Sequence, residues 1–131
     1  MRVKTSNLNG LALNYAVALC EGGEGFIFDG ITWGFMLKGK LKVMAKGWAS
    51  SMVYCPGEDW ATGGPILTRE SISRTIDHSG LWIAYWTDDY TEGDEGKRWV
   101  QCDRSELIAG LRCYVASKLG EMIEIPKGIP S

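Results

Sequence analysis

The sequence predicts an α+β fold, and three observations carry the prediction. Two stretches repeat apolar residues at three- and four-residue spacing, one early in the chain and one late. Between them lie short segments rich in β-formers. Seventeen glycines in 131 residues, near twice the usual ~7%, punctuate those segments as tight turns would. The expected architecture is two amphipathic helices packed on a mostly antiparallel sheet of short strands. With 45% hydrophobic and 23% charged residues and no linker or repeat, residues 1–131 read as one domain. A chain of this length buries about two-thirds of the surface it exposes when unfolded.

The first helix is expected over Leu8 to Cys20, where Leu8, Leu11, Ala12, Tyr15, Ala16 and Leu19 share one stripe. Ser6, Asn7 and Asn9 are available N-caps, and Gly22 or Gly23 can close the helix. Strands are expected at 26–28, 31–37, 41–45 and 51–54. In the third of these Leu41, Val43 and Ala45 alternate with Lys40, Lys42, Met44 and Lys46, so the lysines are expected on a wet face. Residues 55–68, with two prolines and three glycines, read as a long structured loop. Arg69 to Arg74 is consistent with a helical turn or a strand. The segment 80–88 is apolar on both faces and is expected to be a central strand. An acidic hairpin loop at 88–97 leads to a return strand at 98–102. A second helix is expected over Arg104 to Leu119, with Asp103 and Glu106 spaced as a capping box and Gly120 at its end. A short strand at 122–125 follows.

Charge and cysteine usage narrow the function. A formal net charge of -2 argues against a dedicated binder of duplex nucleic acid. No apolar run approaches the ~18–20 residues of a membrane span, and the first ten residues hold no signal-peptide core. Cys20, Cys55, Cys102 and Cys113 form no C-x-x-C pair and the only histidine is His78, so a zinc site is not expected. Cytoplasmic residence with reduced thiols is expected, and no cofactor.

The segment Asp59-Trp60-Ala61-Thr62-Gly63-Gly64-Pro65-Ile66 is the most informative. As a glycine turn it can bring backbone N–H groups close to an anion. Trp60 offers a stacking face, Thr62 a hydroxyl, and Arg69 and Arg74 lie near enough in sequence to reach a phosphate. It is no Walker A loop, because no G-K-[ST] follows. The competing reading is a structural turn anchored by a buried tryptophan. Lys38, Lys40, Lys42 and Lys46 form a basic stripe, which either steers an anion or is the solvated side of a strand. Asp88, Asp89, Glu92, Asp94 and Glu95 read as a solvated hairpin tip rather than a cation site, and His78 as a turn residue. Most of the six tryptophans are expected in the core.

Three segments in order, V-K-T-S-x-L followed by A-L-x-Y-A-V-A at 12–18, D-W-A-T-G-G-P-I at 59–66 and L-R-C-Y-V-A-S-K-L-G at 111–120, resemble the phage NinX family of tailed phages and prophages. The resemblance spans nearly the whole chain. It implies a phage-encoded protein in the cytoplasm of the infected bacterium, dispensable for the virion, and transfers no catalytic residue. Two departures are the glycine-rich stretch 22–47, longer than the family's, and Gly110 inside the second helix, where alanine is ordinary.

The leading expectation is a non-enzymatic phage accessory protein that binds a small nucleotide-like ligand, in a counter-defence role, through Asp59, Trp60, Thr62, Gly63, Gly64, Pro65, Arg69 and Arg74. Such a protein can gain closed sites by forming a homo-oligomer. On that reading Trp60→Ala, Gly64→Val and Arg69→Ala weaken binding without unfolding the domain. The alternatives are a protein-binding modulator of a host enzyme and a nucleotide-processing enzyme, with Asp59, Glu70 and His78 as its only local acid–base candidates.

Overall fold

The computed structural model of the chain describes residues 1–30, 32–45, 53–87 and 98–129. In chain order it contains β1 (Arg2–Lys4), a 3-10 turn (Thr5–Asn7), α1 (Gly10–Cys20), β2 (Glu24–Phe28), β3 (Thr32–Leu37), β4 (Lys40–Ala45), α2 (Trp60–Arg69), β5 (Ser73–Ile76), β6 (Trp82–Thr87), β7 (Arg98–Asp103), α3 (Glu106–Leu119) and β8 (Met122–Glu124). The fold is α+β and every strand pairing is antiparallel. The strands form three small sheets, β1–β8, β2–β3–β4 and β5–β6–β7.

Helix α3 is the centre of the molecule. It packs on β6 and β7 on one side and on α1 and α2 on the other. Leu107, Leu111, Tyr114 and Val115 are buried, and so is the opposite flank at Ala109, Cys113 and Ala116. One apolar stripe is therefore an incomplete description of this helix, because neighbours cover it on several sides. Even Arg112 is inside, and its guanidinium is satisfied by the carbonyls of Leu8 (2.6 Å) and Cys102 (3.0 Å) and by Asp103 (3.1 Å). The capping box at Asp103 and Glu106 does not form. Ser105 is the N-cap, its Oγ accepting from the Ile108 N–H at 3.2 Å, while Asp103 accepts from the Ser105 N–H and holds Arg112. Gly120 ends the helix with φ of +88°.

The sheet β2–β3–β4 is joined to α1 through aromatic rings. Tyr15 meets Phe26 edge-on at 4.9 Å, Phe26 stacks on Phe35 at 4.9 Å, and Phe35 meets Tyr54 edge-on at 5.3 Å. Strands β3 and β4 are joined by the two-residue turn Lys38-Gly39, both with positive φ (52° and 77°), as a type I′ hairpin requires. Strand β6 is central in its sheet, as its two apolar faces predict. Thr5 donates to the Glu121 carbonyl at 2.8 Å, which ties β1 beside β8.

Three expectations need correction. Residues 60–69 are helix α2, not loop. Val53 and Tyr54 are not a strand, although the Tyr54 N–H reaches the Val43 carbonyl at 2.7 Å; Ser51 and Met52 lie outside the described residues. Of the alternatives for 69–74, the strand holds from Ser73 onward. The acidic segment 88–97, Lys46, Trp48 and the side chain of Trp99 also lie outside the described residues.

Candidate functional site

Helix α2 exists despite Gly63, Gly64 and Pro65 in its interior because its start is well anchored. Asp59 is the N-cap, with Oδ1 accepting from the Ala61 N–H at 3.0 Å and Oδ2 from the Thr62 hydroxyl at 2.8 Å. Just upstream, the Gly57 N–H donates to the buried Asn14 Oδ1 of α1 at 3.0 Å, which fixes where α2 begins. Gly63 is needed for contact rather than for a turn. A Cβ there would collide with the Pro56 carbonyl and lie 2.8 Å from Leu107 Cδ1. The reading of these glycines as a loop that presents free N–H groups to an anion is thereby overturned, since the helix and the Asp59 carboxylate already occupy those groups.

The sequence-predicted site residues do not converge. Trp60 is 48% exposed on the outside of α2, so it is neither the buried anchor nor part of the cleft between β4 and α2. Arg69 is engaged: its Nη1 and Nη2 donate to Glu21 at 2.9 and 2.6 Å, and Tyr114 lies beneath it at 5.8 Å. Arg74 is held by Glu106 at 3.0 Å, on β5. Both arginines therefore have structural partners. Thr62 alone of the group lines that cleft, with its hydroxyl turned to Asp59.

That cleft, about 370 Å³, lies between β4 and α2. Lys38 of the hairpin turn and Lys40 and Lys42 of β4 form one wall. Thr62 and Ile66 of α2, with Val53, Tyr54 and Glu21, line it as well. Lys40 and Lys42 share the cleft side of β4 with the fully buried Met44, and Lys38 and Lys40 are solvent-exposed, as a wet face predicts. The other side is exposed as well: Leu41 is 70% exposed, near Ile27 at 72%. The period of two was legible, but the sequence offers no way to tell a lysine-lined cleft from open solvent.

Among the described residues, Lys38, Lys40 and Lys42 form no ion pair. Glu21 is bonded to Arg69, and Lys38 lies near enough to add to the attraction on its carboxylate. Burial opposes ionisation of Glu21, but hydrogen bonds from Arg69 and Tyr114 hold its carboxyl below the usual glutamate range. Burial is also the main reason that the Tyr114 and Tyr54 hydroxyls ionise far less readily than free tyrosine. Tyr54 is 8% exposed and its hydroxyl has no hydrogen-bond partner among the described residues. Sequence reasoning missed Tyr54 and Glu21. The former lies in a segment read as a strand, and the latter at a helix end with no motif around it.

Other candidates resolve plainly. Asp77 folds the turn that carries His78 by accepting from Ser79 N–H, Ser79 Oγ and Leu81 N–H at 2.6–3.0 Å. None of the four cysteines is in a disulfide, and burial pushes the Cys113 thiol up to about 12. Among the described residues no group of three His, Cys, Asp or Glu could hold a metal, and no helix is long and apolar enough to cross a membrane.

No curated protein matches the chain. The family described as Bacteriophage P22, NinX matches residues 4–118, from β1 through nearly all of α3. The match covers the α1, α2 and α3 segments on which the resemblance rests, and the cleft between β4 and α2 lies wholly within it. The chain belongs to the bacteriophage P22 NinX family and is a phage accessory protein.

Proposed function

We propose that this NinX-family protein is non-enzymatic and sequesters a small nucleotide-like ligand in the lysine cleft, which suits a counter-defence role against a nucleotide signal of the infected cell. The observation that carries the reading is the convergence on one cleft of Lys38, Lys40 and Lys42, which form no ion pair among the described residues, with a Tyr54 hydroxyl that has no hydrogen-bond partner among them. Clustered ammonium groups suit a phosphate, and the apolar parts of Leu37, Val53 and Ile66 suit the body of a nucleoside. A volume of about 370 Å³ falls within the range of small-molecule sites. The site thus shifts from the arginines of 69–74 to the lysines of 38–42. A thermal-shift screen against nucleotides, cyclic di- and trinucleotides and cyclic ADP-ribose isomers tests the reading. A ligand at ~100 times its Kd adds about 2.7 kcal/mol. Intact recovery of the ligand by chromatography supports sequestration, whereas a new product identifies an enzyme.

A second reading, a protein-binding modulator of a host enzyme, draws on a different surface. The outer face of β2–β3–β4 exposes Ile27 (72%), Leu41 (70%) and Met36 (39%) around Gly34, an apolar patch of the kind that protein interfaces use.

A further inference from the structure

We propose that Glu21 and Tyr54 of the cleft read an amino group of the ligand while its lysines hold the phosphate. The inference rests on the nucleotide-like reading above and narrows it to nucleotides whose base carries an exocyclic amine. The described lining of the cleft carries both signs of charge. Its lysines attract an anion, and the Glu21 carboxylate, which Lys38 lies near enough to stabilise, repels it. A ligand with phosphate at both ends is therefore disfavoured, and one with a hydrogen-bond donor opposite its phosphate is oriented.

Glu21 is built to stay ionised, and so to act only as an acceptor. Its Oε2 accepts from Arg69 Nη2 at 2.6 Å and from the Tyr114 hydroxyl at 2.5 Å. Among the described residues its Oε1 accepts only from Arg69 Nη1, at 2.9 Å, which leaves an acceptor position on that oxygen. The side chain is 10% exposed and lines the cleft, so a donor placed there meets a carboxylate with little competition from water. Tyr54 supplies the second polar group. Phe35 packs edge-on against its ring at 5.3 Å, and its buried hydroxyl has no partner among the described residues. A buried hydroxyl without a partner carries a desolvation penalty that a bound donor or acceptor relieves. The amines of adenine, cytosine and guanine donate to such a pair, whereas the carbonyl that replaces the amine in hypoxanthine and uracil turns a lone pair toward the carboxylate.

Titration calorimetry on the full chain with AMP against IMP, and CMP against UMP, tests this. The expected result is at least about tenfold tighter binding of the amine-bearing member of each pair. Tyr54→Phe is expected to shrink that ratio and to raise the Tm of the free protein, because it removes an unsatisfied hydroxyl; a merely structural hydroxyl would lower the Tm instead. Lys40→Glu with Lys42→Glu is expected to abolish binding of all four. Equal affinity within each pair, with the lysine dependence intact, overturns the inference and leaves the anion-site reading standing. So does a Tyr54→Phe variant with a lower Tm and an unchanged ratio. No binding of any of the four, or binding indifferent to the lysine reversals, overturns both.

Discussion

Gly110 of α3 stands against Leu67 of α2 so closely that a Cβ at position 110 would lie 2.6 Å from Leu67 Cδ1. Leu67 is 1% exposed and cannot swing away. The glycine that looks out of place in a helix is therefore the contact that lets α2 dock on the central helix. Ala at 110 would gain about 1 kcal/mol of helix propensity. Overpacking a closed core costs about 1–3 kcal/mol. Gly110→Ala is expected to destabilise by up to about 2 kcal/mol net. Leu67→Ala in the same chain should recover part of that loss, so that denaturant unfolding shows a double variant better than the sum of the singles.

The Glu21–Arg69 pair predicts a pH dependence. The folded-state acidity of Glu21 is stronger than its ordinary value of 4.5. Its contribution to stability is thus complete above pH about 4.5 and fades as pH falls through the lower folded value. Comparing Tm from pH 3 to 7 for the native chain and Glu21→Gln should show an acid-side decline that is shallower in the variant. Arg69→Ala should cost about 1–3 kcal/mol, less than a fully buried pair because Arg69 is half-exposed. The loss of stability would set this substitution apart from one that only removes a ligand contact.

Charge reversal at Lys40 and Lys42 separates binding from folding. Neither lysine has an ion partner among the described residues, so the double Glu variant should unfold within about 0.5 kcal/mol of the native chain. Urea unfolding monitored by tryptophan fluorescence checks this. A large loss of stability would mean that the lysine face has a packing role.

The exposed apolar face makes its own prediction. Leu41→Lys and Ile27→Thr remove apolar surface that contacts little of the core, and each should change stability by no more than about 0.5 kcal/mol. If this face binds a host protein, the pair of substitutions abolishes capture of that protein while leaving nucleotide binding unchanged.

The parts of the fold legible in the sequence are those where one pattern dominates. The apolar runs of α1 and α3 and the two-sided apolar strand β6 were of this kind. Helix α2 was hidden because Gly63, Gly64 and Pro65 are poor helix formers, and tertiary contact overrides that propensity: Gly63 must fit under Pro56 and against Leu107. The signal that could have revealed it was Asp59 followed by Thr62, a polar cap ahead of the spaced apolar pair Ile66 and Leu67. The candidate site was least legible. Arg69 looked free in sequence, yet its partner Glu21 lies 48 residues away. The lysine cleft was hidden because period two fixes which residues share a face, not what stands across from that face.

The most direct test of the lysine cleft is titration calorimetry of the nucleotide that gives the largest thermal shift, run on the native chain and on the Lys40→Glu, Lys42→Glu variant. Stoichiometric binding by the native chain, lost by at least about a hundredfold in a variant that remains folded, is the predicted result. The same affinity in both proteins, or no nucleotide that binds the native chain at all, would contradict it.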